Sequence, residues 1–174
     1  THDRLANAVE AFRPGRWQAE RKVTPIEGHS GTADLYDAEL RAVVDHKVLG
    51  KTSHAKIVAG KLPRHYYVQL LLYGLGYMRA GMPVERVMLA AWSRGGMLPD
   101  LYVWDHELTA EDMQLLEHVL LSELPYRKAW AAAITAGSAT LRDVPIGTET
   151  PECYFCPYWR PEAKVNPEAG GCPG

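Results

Sequence analysis

The chain has 174 residues, 47% of them hydrophobic and 23% charged, with a formal net charge of −2. That length buries a real core in one domain, and no run of about 18 apolar residues occurs, which excludes a transmembrane helix and a membrane partner. The mild net charge does not exclude nucleic acid, because local fields matter more than the sum.

Residues 2–13 place Leu5, Ala8, Val9 and Phe12 on one helical face, and Pro14-Gly15 ends the helix. The chain opens on Thr1 rather than Met, so a segment upstream is expected to have been removed or left out. Residues 17–23 read as a strand, with Trp17, Ala19 and Val23 on one parity and Gln18, Glu20 and Lys22 on the other. A loop is expected over 24–30.

Residues 31–47 organise the rest. They read as two short strands joined by a tight turn around Asp37-Ala38-Glu39. In the second strand Leu40, Ala42, Val44 and Val48 make an apolar face, while Arg41, Val43, Asp45 and Lys47 make the other. In the first, Thr32, Asp34 and Tyr36 share a parity. One pairing register sets Asp34 beside Asp45 and Lys47. Two carboxylates that close repel, and a divalent cation is the usual reason for holding them together. The plainer alternative is a turn cap plus a surface ion pair worth ~0–1 kcal/mol.

Gly50-Lys51-Thr52-Ser53 reads as a turn before a short basic helix to about Ala59. Leu62-Pro63 separates it from a long helix over 64–80, apolar nearly all round and therefore expected to be buried. Gln69 and Tyr73 stand at i and i+4 on one face, with Tyr66 and Tyr77 close to the same stripe. From Arg41 to His65 the chain carries Arg41, Lys47, Lys51, Lys56, Lys61 and Arg64 against the single acid Asp45. Residues 84–93 and 101–104 look like strands joined through Arg94-Gly95-Gly96. Thr109 is an N-cap candidate, with Glu111 and Asp112 in the first turn and a Leu108–Met113 staple. Pro125 is expected to interrupt this helix, with a second piece running to Gly137.

The order of helix, three strands, helices, two strands and helices defines an α/β domain with a central mixed sheet flanked by helices. The core spans 1–150, and a cysteine segment over 151–174 closes the same domain. Its Cys153, Cys156 and Cys172, odd in number and clustered, favour metal ligation over disulfides. Three thiolates suit an iron–sulfur cluster or zinc, and either needs a fourth ligand from elsewhere, since no His follows Asp143.

Taken together, these elements resemble the PD-(D/E)XK nuclease superfamily, and within it a RecB-like branch that includes iron–sulfur exonucleases of phages and CRISPR systems. His2 matches the metal-binding His of the family's first helix, and Glu20 its strand acid. Gly31-Thr32-Ala33-Asp34 matches G-x-x-D, Asp45-His46-Lys47 matches D/E-x-K, and Gln69 to Tyr73 matches Q-x-x-x-Y. Cys153-Tyr154-Phe155-Cys156-Pro157-Tyr158 is similar to the branch's C-x-x-C-P-Y. Two departures stand out: the interval from Cys156 to Cys172 is longer than the family's, and the fourth Cys, expected upstream of the first helix, is not in this chain.

The resemblance implies a restriction-endonuclease-like core and a metal-dependent DNA exonuclease acting at ends or on single strands, in the cytoplasm of a bacterium or phage-infected cell. Asp34 and Asp45 would bind Mg²⁺ or Mn²⁺ together with the main-chain carbonyl of His46. Lys47 would orient the attacking water, Glu20 would ligate or position the metal, and His2 would bind a second ion. Gln69 and Tyr73 would hold substrate phosphate or base, with Lys51 also on the DNA. The ring of His46 points to the other strand face and is expected to be at least partly buried. His29, His54 and His65 carry no motif and are assigned to the surface. The cysteines would hold a structural [4Fe–4S] cluster, with Zn²⁺ as the alternative. A non-catalytic nucleic-acid-binding module on the same fold is the competing function, and a metal-dependent phosphatase lacks its usual His/Asp clusters.

Overall fold

A computed structural model describes residues 2–97, 100–140 and 143–144. The chain divides into two units, Thr1–Leu116 and Glu117–Gly174. The first holds helix α1 (His2–Phe12), strands β1 (Trp17–Ile26), β2 (His29–Asp37) and β3 (Ala42–Leu49), and helices α2 (Lys51–Val58) and α3 (Arg64–Arg79). Strands β4 (Arg86–Ser93) and β5 (Tyr102–Glu107) follow. The five strands form one sheet in the order β1-β2-β3-β4-β5. All neighbours are antiparallel except β3 and β4, which run parallel. A parallel pair needs a long crossover, and α2 and α3 supply it. The expected α/β fold with a central mixed sheet is what forms.

The first two strands are longer than their alternation suggested. β1 runs to Ile26 and β2 starts at His29, so most of the loop expected over 24–30 is strand, turned tightly at Gly28 with φ +74. The register shifts between Val23 and Ile26, which places the buried Pro25 at an irregularity where its missing N–H is tolerated. β5 likewise runs past Trp104 to Glu107, and β4 begins at Arg86.

Asp37 closes the turn between β2 and β3, which occupies residues 38–41. Its Oδ1 accepts the backbone N–H groups of Glu39 and Leu40, each at 3.0 Å. Its Oδ2 accepts from Arg16 Nη2 at 2.8 Å and from the Trp17 indole at 2.9 Å. Burial alone would raise this carboxyl. Arg16, the Leu40 N–H and the Trp17 indole outweigh burial and hold it below the usual carboxylate range.

α3 is buried along one face, through Leu70, Leu71, Gly74, Gly76 and Tyr77, rather than all round. Its exposed start follows from covering only one side of a sheet. The rings of Tyr36 and Tyr77 stack at 4.8 Å, and Tyr36 donates to the Pro83 carbonyl at 2.6 Å. The residues expected as a turn at 50–53 are instead the start of α2, whose Ile57 is buried.

Helix α4 (Ala110–His118) begins with the expected cap: Asp112 N–H donates to Thr109 Oγ1 at 3.3 Å, and Thr109 N–H donates to Asp112 Oδ2 at 2.6 Å. Asp112 also gathers the Tyr67 hydroxyl and, at 2.8 Å, His106 Nε2, tying α3, β5 and α4 together. The α-helix is interrupted next to Pro125, as expected: a π-helical turn, Val119–Glu123, separates α4 from a second piece, α5 (Leu124–Thr135), in whose first turn Pro125 lies. Among the described residues, no helix is long and apolar enough to cross a membrane.

Candidate active site

β2 and β3 pair over only three rungs, Asp37 with Ala42, Tyr36 with Val43 and Leu35 with Val44. The next rung would set Asp34 opposite Asp45, as the sequence register anticipated. There the ladder stops. β2 stays paired to β1 back to His29, and β3 stays paired to β4 out to Leu49. In place of a backbone rung, Asp34 Oδ2 accepts the His46 N–H at 2.7 Å. A notch therefore opens between two strands at the point where both aspartates stand.

Glu20 lies on the same row. Ala19 pairs with Leu35 and Arg21 with Ala33, which puts Glu20 across from Asp34. Its φ is +51, the left-handed region that a non-glycine residue seldom adopts. The buried alternation of β2 slips at the same place, since Ala33 and Tyr36 are both buried. The shared parity expected of Thr32, Asp34 and Tyr36 thus breaks opposite this irregular residue. The Glu20 side chain is exposed.

Asp45 is 2% exposed. Its Oδ2 stands 2.7 Å from Lys47 Nζ as an ion pair. Burial raises this carboxyl above its ordinary range; Lys47 opposes the shift and Asp34 adds to it. Lys47 Nζ lies 5.5 Å from the centre of the Tyr66 ring, so α3 supplies one wall. Further along α3, Gln69 Nε2 donates to the Tyr73 hydroxyl at 3.0 Å, as the i,i+4 spacing predicted. The Tyr73 ring explains the glycine of G-x-x-D: a Cβ on Gly31 would stand 2.8 Å from Tyr73 Cε1.

Only part of the apolar face expected on β3 is buried. Ala42 is buried and Val44 half-buried, but Val48 is 63% exposed, while Val43 and Asp45 on the other face are buried. The His46 ring is correspondingly exposed rather than buried, and it accepts the Trp92 indole N–H at Nδ1, 3.2 Å away. His29 and His54, assigned to the surface, are half-buried, while His65 is exposed. Lys51 is exposed at the start of α2. The side chain of His2 lies outside the described residues, as do Cys153, Cys156 and Cys172.

The donor set suits a hard cation. Asp45 is a buried carboxylate whose Oδ2 is paired with Lys47, and a second carboxylate, Asp34, lies beside it. Among the described residues, no group of three or more His, Cys, Asp or Glu side chains is placed to hold a metal, so Glu20 does not complete a three-carboxylate cage. Mg²⁺ needs no such cage: it is commonly held by one or two carboxylates, with water and substrate phosphate completing its shell.

The site thus consists of two aspartates and a lysine where β2 and β3 part in a five-stranded mixed sheet. The chain is similar in fold to an alkaline exonuclease, LHK-Exo, from Laribacter hongkongensis, with a TM-score of 0.51 and 14% sequence identity over 79% of this chain and 72% of that one. LHK-Exo in complex with dAMP aligns with a TM-score of 0.47 and 13% identity, over 79% of this chain and 71% of the other. No protein-family model and no curated protein sequence matches the chain.

Proposed function

We propose that this protein is a divalent-metal-dependent nuclease that hydrolyses DNA phosphodiester bonds, acting as an exonuclease at ends or on single strands. The observation that carries the reading is the buried Asp45, ion-paired with Lys47 and set beside Asp34 where the sheet opens. The fold likeness to an alkaline exonuclease supports it.

Asp34, Asp45 and the His46 carbonyl would hold Mg²⁺ or Mn²⁺. The His46 N–H holds Asp34 through Oδ2, and the carboxylate's other oxygen would serve the ion. The bound ion would neutralise the phosphate and lower the pKa of the attacking water. Lys47, held by Asp45 and Tyr66, would orient that water and stabilise charge on the phosphate. Glu20, across from Asp34, would act on the ion through water. Gln69 and Tyr73 would contact the substrate from α3, and Lys51 would hold a flanking phosphate.

The test is incubation of end-labelled single- and double-stranded DNA with Mn²⁺ or with EDTA. Cleavage with Mn²⁺ alone, lost in Asp34→Ala, Asp45→Ala and Lys47→Ala, is the expected result. Near wild-type cleavage by Asp45→Ala would refute the assignment. DNA binding without cleavage in either condition would favour the non-catalytic binding module.

On the sequence resemblance we also propose that Cys153, Cys156 and Cys172 hold a structural [4Fe–4S] cluster, completed by a ligand from elsewhere, as in the RecB-like iron–sulfur branch.

A further inference from the structure

From residue 46 to residue 84 the chain contains no Asp or Glu, while Lys47, Lys51, Lys56, Lys61, Arg64 and Arg79 are cationic. This stretch is the end of β3 and the whole of α2 and α3, and it borders the notch. Lys51, Lys56 and Lys61 are exposed. So one-sided a field suits a polyanion.

Within it stand two rings that the core does not use. Tyr36 and Tyr77 fill the interior, whereas Tyr66 is half-buried and His65 exposed. His65 meets Tyr66 with ring centroids 4.2 Å apart and an interplanar angle of 61°. Tyr66 in turn lies 5.5 Å from Lys47 Nζ, and that Nζ stands 2.7 Å from Asp45 Oδ2. The aromatic pair is therefore the immediate neighbour of the group assigned to the scissile phosphate. A base joined to that phosphate reaches the rings, but only once it has left its own helical stack.

We propose that His65 and Tyr66 form a stacking platform for the nucleobase beside the scissile phosphate, so that the site takes an unpaired nucleotide, from a single strand or a frayed end, in preference to a base-paired one. This rests on the nuclease reading and names its substrate class. Stacking on an aromatic side chain tolerates any base, because every base has a π-face, so the platform selects unpaired structure rather than sequence.

Equilibrium binding in EDTA, where no cleavage occurs, tests it, using a labelled single-stranded oligonucleotide and the matching blunt duplex. His65→Ala and Tyr66→Ala should each weaken single-strand binding about fivefold or more, the lower end of the loss of one base-stacking contact, and leave blunt-duplex binding within about twofold. Tyr66→Phe, which keeps the ring, should bind as wild type. Lys51→Ala should weaken both ligands alike and flatten the salt dependence. Three results would overturn the platform: alanine variants that bind the single strand like wild type, variants that lose both ligands equally, or a wild-type protein with no single-strand binding. His65 is exposed, so His65→Ala keeps the test open should Tyr66→Ala fail to fold. The nuclease reading is scored separately, by wild-type cleavage with Mn²⁺. Ring-dependent binding without that cleavage would end the nuclease reading and leave the platform standing.

Discussion

Two glycines bring α3 against its neighbours, and the same substitution should act oppositely at each. A Cβ on Gly76 would stand 2.7 Å from Val23 Cβ, 3.0 Å from Val23 Cγ2 and 3.4 Å from the Pro25 backbone nitrogen. Carbon atoms in contact prefer about 3.5–4.0 Å. Val23 is 3% exposed and its Cβ is fixed to the strand, so relief requires the helix to move off β1. A Cβ on Gly74 would meet only Val84 Cγ1 at 3.5 Å and Val87 Cγ1 at 3.9 Å, ordinary contacts. Replacing a helix-interior glycine by alanine favours folding by about 0.8–1 kcal/mol. Overpacking costs about 1–3 kcal/mol, and fixed neighbours put Gly76 in the upper half of that range. Gly74→Ala should therefore stabilise the protein by about 0.5–1 kcal/mol, and Gly76→Ala should destabilise it by about 1–2 kcal/mol. Urea unfolding followed by circular dichroism measures both. Because α3 carries Tyr66, Gln69 and Tyr73, Gly76→Ala should also slow cleavage at temperatures where it stays folded. Equal stability of the two variants would refute the close approach of α3 to β1.

The remaining predictions concern charge and metal. Burial raises the Asp45 carboxyl above its ordinary 3.8, so its contribution to stability is complete below that pH and is lost as pH rises through the raised value. Asp45→Asn should thus be inactive yet melt higher than wild type at neutral pH; a lower melting temperature at every pH would contradict this. Burial pushes Tyr77 up to about 12, so stability present below its ordinary 10.0 should be lost as pH rises toward that value. Its buried hydroxyl has no hydrogen-bond partner among the described residues, so Tyr77→Phe should flatten the alkaline limb of the melting profile without loss at neutral pH. If the proposed cluster is right, full-length protein purified anaerobically should be brown with iron bound, and Cys153→Ala or Cys156→Ala should bleach it; colourless protein with stoichiometric zinc would move the assignment to zinc.

Local patterns made much of this protein legible. Helical periodicity located α1 and α3, because their boundaries are written in nearby residues: Pro14-Gly15 after one, Pro63 before the other. The Thr109 cap with Asp112 is likewise local. The register of Asp34 with Asp45 followed from one short turn between two strands, since a turn sets the pairing of the strands it joins. Gln69 and Tyr73 meet because they are one helical turn apart.

What only the tertiary structure decided is which side of each pattern faces inward. Alternation in β3 is the same whichever face is buried, and hydropathy favours burying Val44 and Val48 over Asp45. The fold buries Asp45, with Lys47 as its ion partner, and leaves Val48 and the His46 ring outside. The left-handed backbone at Glu20, the passage of β1 through Pro25 and the meeting of Lys47 with Tyr66 were equally invisible. Each depends on residues far apart in sequence that the sheet and its crossover helices bring together. No local propensity encodes that proximity.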